Sequence, residues 1–196
     1  LDNLNELQEY TSKIDKDFQV GIRVAADEEP NFEFYTSRLG IRYSDITKLY
    51  TDEIKGSKAK LKMLHFFINT GIKDTAYYWS ELSRFMYKYC ELKKICPELD
   101  TIDIGGGFPI KTSMTFEYDY AYMVDQIIEN IKWICNKSNV AMPHIITEFG
   151  SFTVGESGAI IYSVLDQKLQ NDKELWYMVD GSFITSLPDA WGMNQK

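Results

Sequence analysis

The chain has 196 residues, of which 44% are apolar and 14% aromatic, so it can build one globular core but not two large ones. A formal net charge of −8 without a basic cluster argues against nucleic acid and anionic membrane surfaces as partners, and it suits a small cationic substrate. Its three cysteines lack metal-ligand or redox spacing, which predicts free thiols in a reducing cytoplasm. The chain begins without Met or a signal-like segment, so we expect an internal piece of a longer protein.

The first predicted elements in chain order are a helix and a strand. Asp2 or Asn3 can cap a helix that runs to about Thr11. Residues 18–26 are rich in β-branched side chains and predict a strand. Arg23 lies in the middle of that strand, and a buried guanidinium needs an anionic partner. Arg23 is therefore either half of a structural ion pair with a neighbouring carboxylate or a direct contact to a bound group.

Three further helices are predicted along the chain. A polar and aromatic loop over 27–43 is followed by Ser44, which we expect to cap a helix that ends at Gly56. Two longer amphipathic helices are predicted over 74–95 and 117–135, each with a stripe of apolar side chains at helical spacing.

The strand predicted over 60–68 carries a histidine. Period-two geometry places Met63, His65 and Phe67 on one face. No nucleophile is near His65 in the sequence, so a core histidine is the plainer interpretation and a catalytic one the alternative. The polar segment 69–71 closes this strand.

Two more predicted strands, 99–104 and 144–148, end in features that suit ligand binding. The first continues into Gly105-Gly106-Gly107, where consecutive amides without side chains can converge on an anion. The second ends at Glu148, which strand parity turns towards the inside of a barrel, and Gly150 follows. Since parallel strands present their carboxyl ends at one mouth of the sheet, we expect the two ends to lie side by side.

This alternation of strands and helices predicts an α/β fold, either half of an eightfold barrel or one doubly wound sheet. After Gly158 the pattern changes to strands without helices, over 159–165 and 175–179. We therefore expect a partial (β/α) barrel over 1–157 and the start of a β-domain over 158–196.

Common phosphate-binding motifs do not fit the glycine segment. Lys111 and Thr112 would suit a P-loop, but Ile110 stands at the position of its second glycine and Pro109 removes an amide. The dinucleotide fingerprint also lacks its third glycine. Three glycines at one strand end and Glu148 at the next suit pyridoxal phosphate, because bare amides can hold the phosphate while a carboxylate keeps the pyridine nitrogen protonated.

At this point the sequence resembles the amino-acid decarboxylases of the alanine-racemase-like fold, and most closely the biosynthetic arginine decarboxylases. The resemblance covers nearly the whole chain, and the last of its segments is the most specific. The segments are DIGGGF at 103–108, LHFF at 64–67, ITEFG at 146–150, SRLG at 37–40 and SFITSLPDAWG at 182–192.

The resemblance implies the second half of a pyridoxal-phosphate-binding (β/α)8 barrel that runs into a C-terminal β-domain. It also implies decarboxylation of a basic amino acid, arginine to agmatine in polyamine synthesis, by a cytoplasmic homodimer or higher homo-oligomer. Glu148 would bind the pyridine nitrogen and is the catalytic candidate. The cofactor-binding candidates are Glu148, Gly105, Gly106, Gly107, Thr70, Phe67, Gly150 and Arg23; no metal is expected.

Several positions depart from the family pattern. Phe67 replaces a histidine that stacks on the cofactor ring, and Asn69 replaces a glycine. Ser151 replaces an arginine that pairs with the phosphate, a task that Arg38 or Lys111 would have to take over. These departures keep two alternatives open, a non-catalytic relative that retains the fold and a barrel that binds a phosphorylated metabolite without pyridoxal phosphate.

The resemblance also indicates what these 196 residues lack. The family's Schiff-base lysine lies on the first barrel strand, and its catalytic cysteine and aspartate lie in the C-terminal β-domain. None has a counterpart in this sequence, so we expect the chain by itself to be inactive.

Overall fold

The structure is a computed structural model that describes residues 1–25, 39–68, 70–111, 115–186 and 188. Its contacts divide the chain into two compact units. The first comprises Leu1–Ile110 and Glu117–Thr153, and the second comprises Lys111–Phe116 and Val154–Lys196. The division into domains at residue 158 stays a prediction, because compactness alone does not define a domain.

The first unit contains a five-stranded sheet in which every neighbouring pair of strands is parallel, in the order β2-β1-β3-β4-β5. Four strands lie where the sequence predicts them and follow one another across the sheet in chain order, as in an arc of a (β/α) barrel. The two-residue β2 extends the edge beside β1 and was not predicted. The strands are β1 Phe18–Ala25, β2 Ile41–Arg42, β3 Ala59–Phe66, β4 Thr101–Asp103 and β5 His144–Ile146.

The helices of this unit begin mostly where polar side chains can cap them. Asn3 accepts a hydrogen bond from the Glu6 amide, and Thr75 accepts one from the Tyr78 amide. The predicted cap at Ser44 is wrong, because its hydroxyl donates to the neighbouring Asp45 carboxylate. The helices are α1 Leu4–Lys13, α2 Tyr43–Leu49, a π-helical turn Tyr50–Ile54, α3 Ala76–Lys93, α4 Tyr120–Ser138 and α5 Gly150–Val154.

The two faces of the sheet differ in character. One face carries Ile22, Leu64 and Ile102, all fully buried in a core shared with the helices. The predicted apolar stripe of α3 is confirmed, since all of its members are buried: Tyr78, Leu82, Phe85, Tyr89 and Leu92.

The other face carries polar side chains in one row. Arg23 of β1 is the register partner of His65 on β3, and His65 is the register partner of Asp103 on β4. Because side chains alternate between faces, the strands that bury their apolar residues against the helices bring these three polar residues together.

The second unit contains an antiparallel pair, β6 Val164–Gln170 and β7 Glu174–Val179, and a short helix, α6 Phe183–Ser186. The strand predicted over 175–179 is confirmed, but the one predicted over 159–165 is wrong, because pairing starts at Val164. The cause is the turn between the strands, where Asn171 and Asp172 both have a φ of 52° and fix the register.

The cysteines Cys90, Cys96 and Cys135 are free thiols, as predicted, and all three are buried. Within the described residues, no helix combines the length and the apolar character that crossing a membrane requires.

Candidate active site

The polar row on the sheet opens onto a cavity of about 360 Å³. Arg23, His65 and Asp103 line it together with Glu148, which lies two residues beyond the end of β5. The structure therefore brings the predicted residues Arg23 and Glu148 into one cavity. The side chain of Glu148 is 54% exposed, because β5 is the edge strand of the sheet.

His65, Asp103 and Glu148 form a close cluster, which we call the acid–histidine trio. One nitrogen or oxygen atom of each lies within 4.8 Å of those of the other two. His65 Nε2 is 3.7 Å from Glu148 Oε2, and this buried nitrogen has no hydrogen-bond partner among the described residues. Such close carboxylates favour a shared proton or a bound cation.

Asp103 is the most deeply buried member of the trio, at 6% exposure. Its carboxylate accepts a hydrogen bond of 2.8 Å from the Gly105 amide. Burial raises the pKa of Asp103, the nearby Glu148 carboxyl raises it further, and the Gly105 amide and His65 act in the opposite direction. The site thus contains a carboxyl group that holds its proton more firmly than an exposed aspartate does.

The glycine segment packs against the backbone of the neighbouring strand ends. A Cβ on Gly106 would lie 2.4 Å from the carbonyl oxygen of Glu148, and one on Gly105 would lie 2.6 Å from that of Phe66. The Glu148 amide also donates a hydrogen bond of 2.9 Å to the Gly105 carbonyl. These glycines are therefore required by close backbone approach, in addition to any contact with a ligand.

Gly107 is held in the same way on its other side. It has a φ of 106°, and a Cβ there would lie 2.9 Å from the Cα of Gly71. Its carbonyl accepts a hydrogen bond of 2.9 Å from the Ile72 amide. The glycine segment is thus attached both to the segment after β3 and to the segment after β5.

The amides of the three glycines are not equivalent. The Gly105 amide already donates to Asp103, and this glycine is buried. Gly106 is half-buried and Gly107 is exposed. All three amides were expected to be able to bind an anion. In the structure only the amides of Gly106 and Gly107 are left for that role.

Four further predicted residues lie within β1 or after β3 and β5. The buried hydroxyl oxygen of Thr70 has no hydrogen-bond partner among the described residues. A Cβ on Gly150 would face open space. The Arg23 guanidinium lies over the Phe67 ring, 5.2 Å from its centroid, so Arg23 contributes a cation–π contact at this site.

An aromatic cluster that sequence reasoning missed holds the glycine segment to α5. The Phe108 ring lies 4.3 Å from that of Phe149 and 5.8 Å from that of Phe152. The Tyr118 hydroxyl donates to the Ile72 carbonyl, and the Tyr120 hydroxyl donates to the Pro109 carbonyl. Aromatic residues spread over 45 positions of the chain gave no periodic signal by which this cluster could have been found.

Asp103 was also missed as a site residue, although it belongs to the quoted glycine motif. Asp103 lies on the same face of β4 as Thr101 and opposite His65 in the strand register. Once the strand order was known, these two facts would have identified Asp103 as a site residue. The roles of the sequence-predicted site residues stay predictions.

The positions that depart from the family pattern are described only in part. Asn69 and Arg38 lie outside the described residues, as does most of 182–192 beyond Ser186. Ser151 is exposed in α5, and Lys111 belongs to the second compact unit. A phosphate-binding role for Arg38 or Lys111 therefore remains a prediction.

Comparison with known proteins gives a consistent result. The family profile described as "Pyridoxal-dependent decarboxylase, pyridoxal binding domain" matches residues 1–155. The biosynthetic arginine decarboxylase of Prochlorococcus marinus is 30% identical over 138 residues, which are 66% of this chain. The chain spans 21% of the length of that relative.

Solved structures share the fold. The diaminopimelate decarboxylase of M. jannaschii, in complex with L-lysine, superposes with a TM-score of 0.80 at 19% identity, over 98% of this chain and 46% of its own. The biosynthetic arginine decarboxylase of Campylobacter jejuni gives a TM-score of 0.66 at 20% identity, over 87% of this chain and 30% of its own. The partial barrel predicted from the sequence is therefore confirmed.

Proposed function

The chain belongs to the family of pyridoxal-dependent decarboxylases, and from this premise we propose that it takes part in decarboxylating a basic amino acid, with arginine as the first candidate. Its curated relatives that carry the name biosynthetic arginine decarboxylase support this choice. The acidic net charge of −8 is compatible with a cationic substrate.

The observation that carries the proposal is the fit of the site to a phosphorylated pyridine. Thr70 has a buried hydroxyl without a partner among the described residues, and this hydroxyl could donate a hydrogen bond to a phosphate oxygen. The accessible glycines Gly106 and Gly107 lie in a segment that leaves no room for side chains against the backbone. Glu148 follows the neighbouring strand and is attached to this segment, because its amide donates to the Gly105 carbonyl.

Pyridoxal phosphate, when bound, supplies a conjugated ring that accepts the electron pair left on the substrate as carbon dioxide departs. The chain's own residues would prepare that ring. The amides of Gly106 and Gly107 and the Thr70 hydroxyl would bind the phosphate, and Glu148 would hold a proton at the ring nitrogen. The Phe67 ring, held by Arg23, offers a flat apolar surface for stacking.

We extend the proposal to the wider setting that the resemblance implies. The product would be agmatine for polyamine synthesis, and the intact protein would be a cytoplasmic homodimer or higher homo-oligomer. β5 lies at the edge of the parallel sheet, where a further strand could pair with it. Such a strand would cover Ile146, which is half-exposed.

The test uses the full-length protein with pyridoxal phosphate and a panel of arginine, ornithine and lysine. Glu148→Gln keeps the shape but removes the charge, so we expect cofactor binding to persist while turnover falls by about a hundred- to a thousandfold. The matched control is Glu129→Gln, an exposed carboxylate on α4 that is paired with Lys132.

The outcomes separate the alternatives. Release of carbon dioxide from arginine ahead of ornithine and lysine supports the proposal. Cofactor binding without turnover of any of the three would identify a non-catalytic relative. Absence of a visible cofactor absorbance band would favour a barrel that binds a different phosphorylated metabolite.

A further inference from the structure

We propose that Asp103 is a positioning residue that acts in its protonated form, donating a hydrogen bond to the Glu148 carboxylate and keeping the negative charge of the pair on Glu148. This inference rests on the proposed function, because it explains how Glu148 is prepared to face a pyridine nitrogen. Nothing in the sequence motif alone distinguishes this role from that of a turn-forming aspartate.

The first step of the argument is the geometry of Asp103. Its side chain leaves β4 on the polar face, opposite His65 in the register, and is 94% buried by its surroundings. One of its oxygens accepts the Gly105 amide proton at 2.8 Å, which fixes the orientation of the carboxyl group. The group then lies within 4.8 Å of the carboxyl oxygen of Glu148.

The second step is that two adjacent carboxyl groups share one proton. One carboxyl oxygen of Asp103 lies within 4.8 Å of one of Glu148, and two ionised carboxylates at such a separation repel each other. The arrangement therefore favours one protonated and one ionised group, and only the protonated group can donate a hydrogen bond to the other.

The third step locates that proton. Asp103 is 6% exposed, whereas the side chain of Glu148 is 54% exposed. Desolvation penalises the ionised form, so the buried partner keeps the proton and the better-solvated partner keeps the charge. The raised pKa of Asp103 has the same direction and the same leading cause.

Charged and titratable groups of both signs face this pair. Arg23 of β1 and His65 of β3 line the same cavity, and Asp2 and Glu6 line it from the N-terminal segment. The competing arrangement places the proton on His65 Nε2, which lies 3.7 Å from Glu148, and leaves both carboxyl groups ionised. The experiment must separate these two arrangements.

The first measurement is infrared spectroscopy of the ligand-free full-length protein near neutral pH, with aspartate labelled by carbon-13. A protonated Asp103 gives the carbonyl stretch of a carboxylic acid, which should be present in the parent and absent from Asp103→Asn. The control is Asp100→Asn just before β4, a half-exposed carboxylate whose pKa is lowered by its hydrogen bond from Lys62. This control should keep the band.

The second measurement is the dissociation constant for pyridoxal phosphate. Asp103→Ala removes both the donor to Glu148 and the acceptor of the Gly105 amide, so binding should weaken by about ten- to a hundredfold. Asp103→Asn can make both hydrogen bonds with its amide group, and it should recover most of that loss. Because asparagine and aspartate have nearly the same volume, a role in filling space is excluded by the infrared band and not by this recovery.

The proposal is overturned if the parent lacks the carboxylic-acid band, or if Asp103→Asn binds the cofactor as weakly as Asp103→Ala. The first result would favour the arrangement with the proton on His65, and the second would show that hydrogen bonds from position 103 do not prepare the site. Because the infrared band is measured without cofactor, it tests Asp103 even if the parent protein binds no pyridoxal phosphate, and that second failure would count against the proposed function alone.

Discussion

Replacing Gly106 by alanine should disturb the site through the backbone. The new Cβ would lie 2.4 Å from the Glu148 carbonyl oxygen, about 0.9 Å short of the roughly 3.3 Å at which carbon and oxygen normally come into contact. The carbonyl oxygen that the Cβ would meet belongs to the backbone, so the segment after β5 must move, and the hydrogen bond from the Glu148 amide to the Gly105 carbonyl is strained with it. We expect a loss of about 2–4 kcal/mol, from overpacking and one weakened hydrogen bond.

Two other glycines separate steric clash from conformational strain. Gly56 has a φ of 83° but open space around its Cβ position, so Gly56→Ala should cost about 1 kcal/mol from backbone strain alone. Gly150 has open space and no positive φ, so Gly150→Ala should leave the free energy of unfolding within about 0.5 kcal/mol of the parent.

The assay is urea unfolding of the three variants in the full-length protein, together with the dissociation constant for pyridoxal phosphate. The expected order of destabilisation is Gly106→Ala, then Gly56→Ala, then Gly150→Ala. The reasoning is refuted if Gly106→Ala matches the parent in both the free energy of unfolding and cofactor affinity, because the backbone contact would then be absent.

Two further predictions concern buried polar groups. Thr70→Val should weaken pyridoxal phosphate binding by about tenfold without lowering the melting temperature, because the Thr70 hydroxyl has no partner among the described residues. Thr70→Ser keeps a hydroxyl and should restore binding. Equal cofactor affinity of the Val and Ser variants would contradict this prediction. The ligand-free protein should lose stability as the pH rises from the ordinary aspartate pKa of 3.8 to the raised pKa of folded Asp103. Between these two values the folded state holds a proton that the unfolded state has already released. Melting temperatures across this pH range should show the decline in the parent and a smaller one in Asp103→Asn; identical slopes would refute the assignment.

Periodic patterns predicted the elements that bury a continuous apolar face. The apolar stripe of α3, from Tyr78 to Leu92, was predicted because a long amphipathic helix repeats the same signal over five turns. The strands that lead into Gly105 and Glu148 were predicted for a related reason, since each combines β-branched residues with a clear stop.

Long-range geometry accounts for what the sequence did not predict. The two-residue β2 depends on pairing with β1, and the β6 strand depends on a turn at Asn171 that shifts its register. The acid–histidine trio depends on the order of β3, β4 and β5 in the sheet, because its members are separated by 38 and 45 positions in the chain. Such proximity follows from strand order and register, and local residue patterns do not contain it.

The glycine segment and the trio are parts of one continuous set of contacts, and this links the two ends of the proposed ligand. The Glu148 amide donates to the Gly105 carbonyl, and the Gly105 amide donates to the Asp103 carboxyl group. The Asp103 carboxyl group in turn lies within 4.8 Å of a carboxyl oxygen of Glu148. A shift of the segment that would hold the phosphate therefore moves the carboxylate that would face the ring nitrogen. One short backbone segment sets the positions of the proposed phosphate-binding amides and of the Glu148 carboxylate. The fold therefore fixes the distance between these groups before any ligand binds.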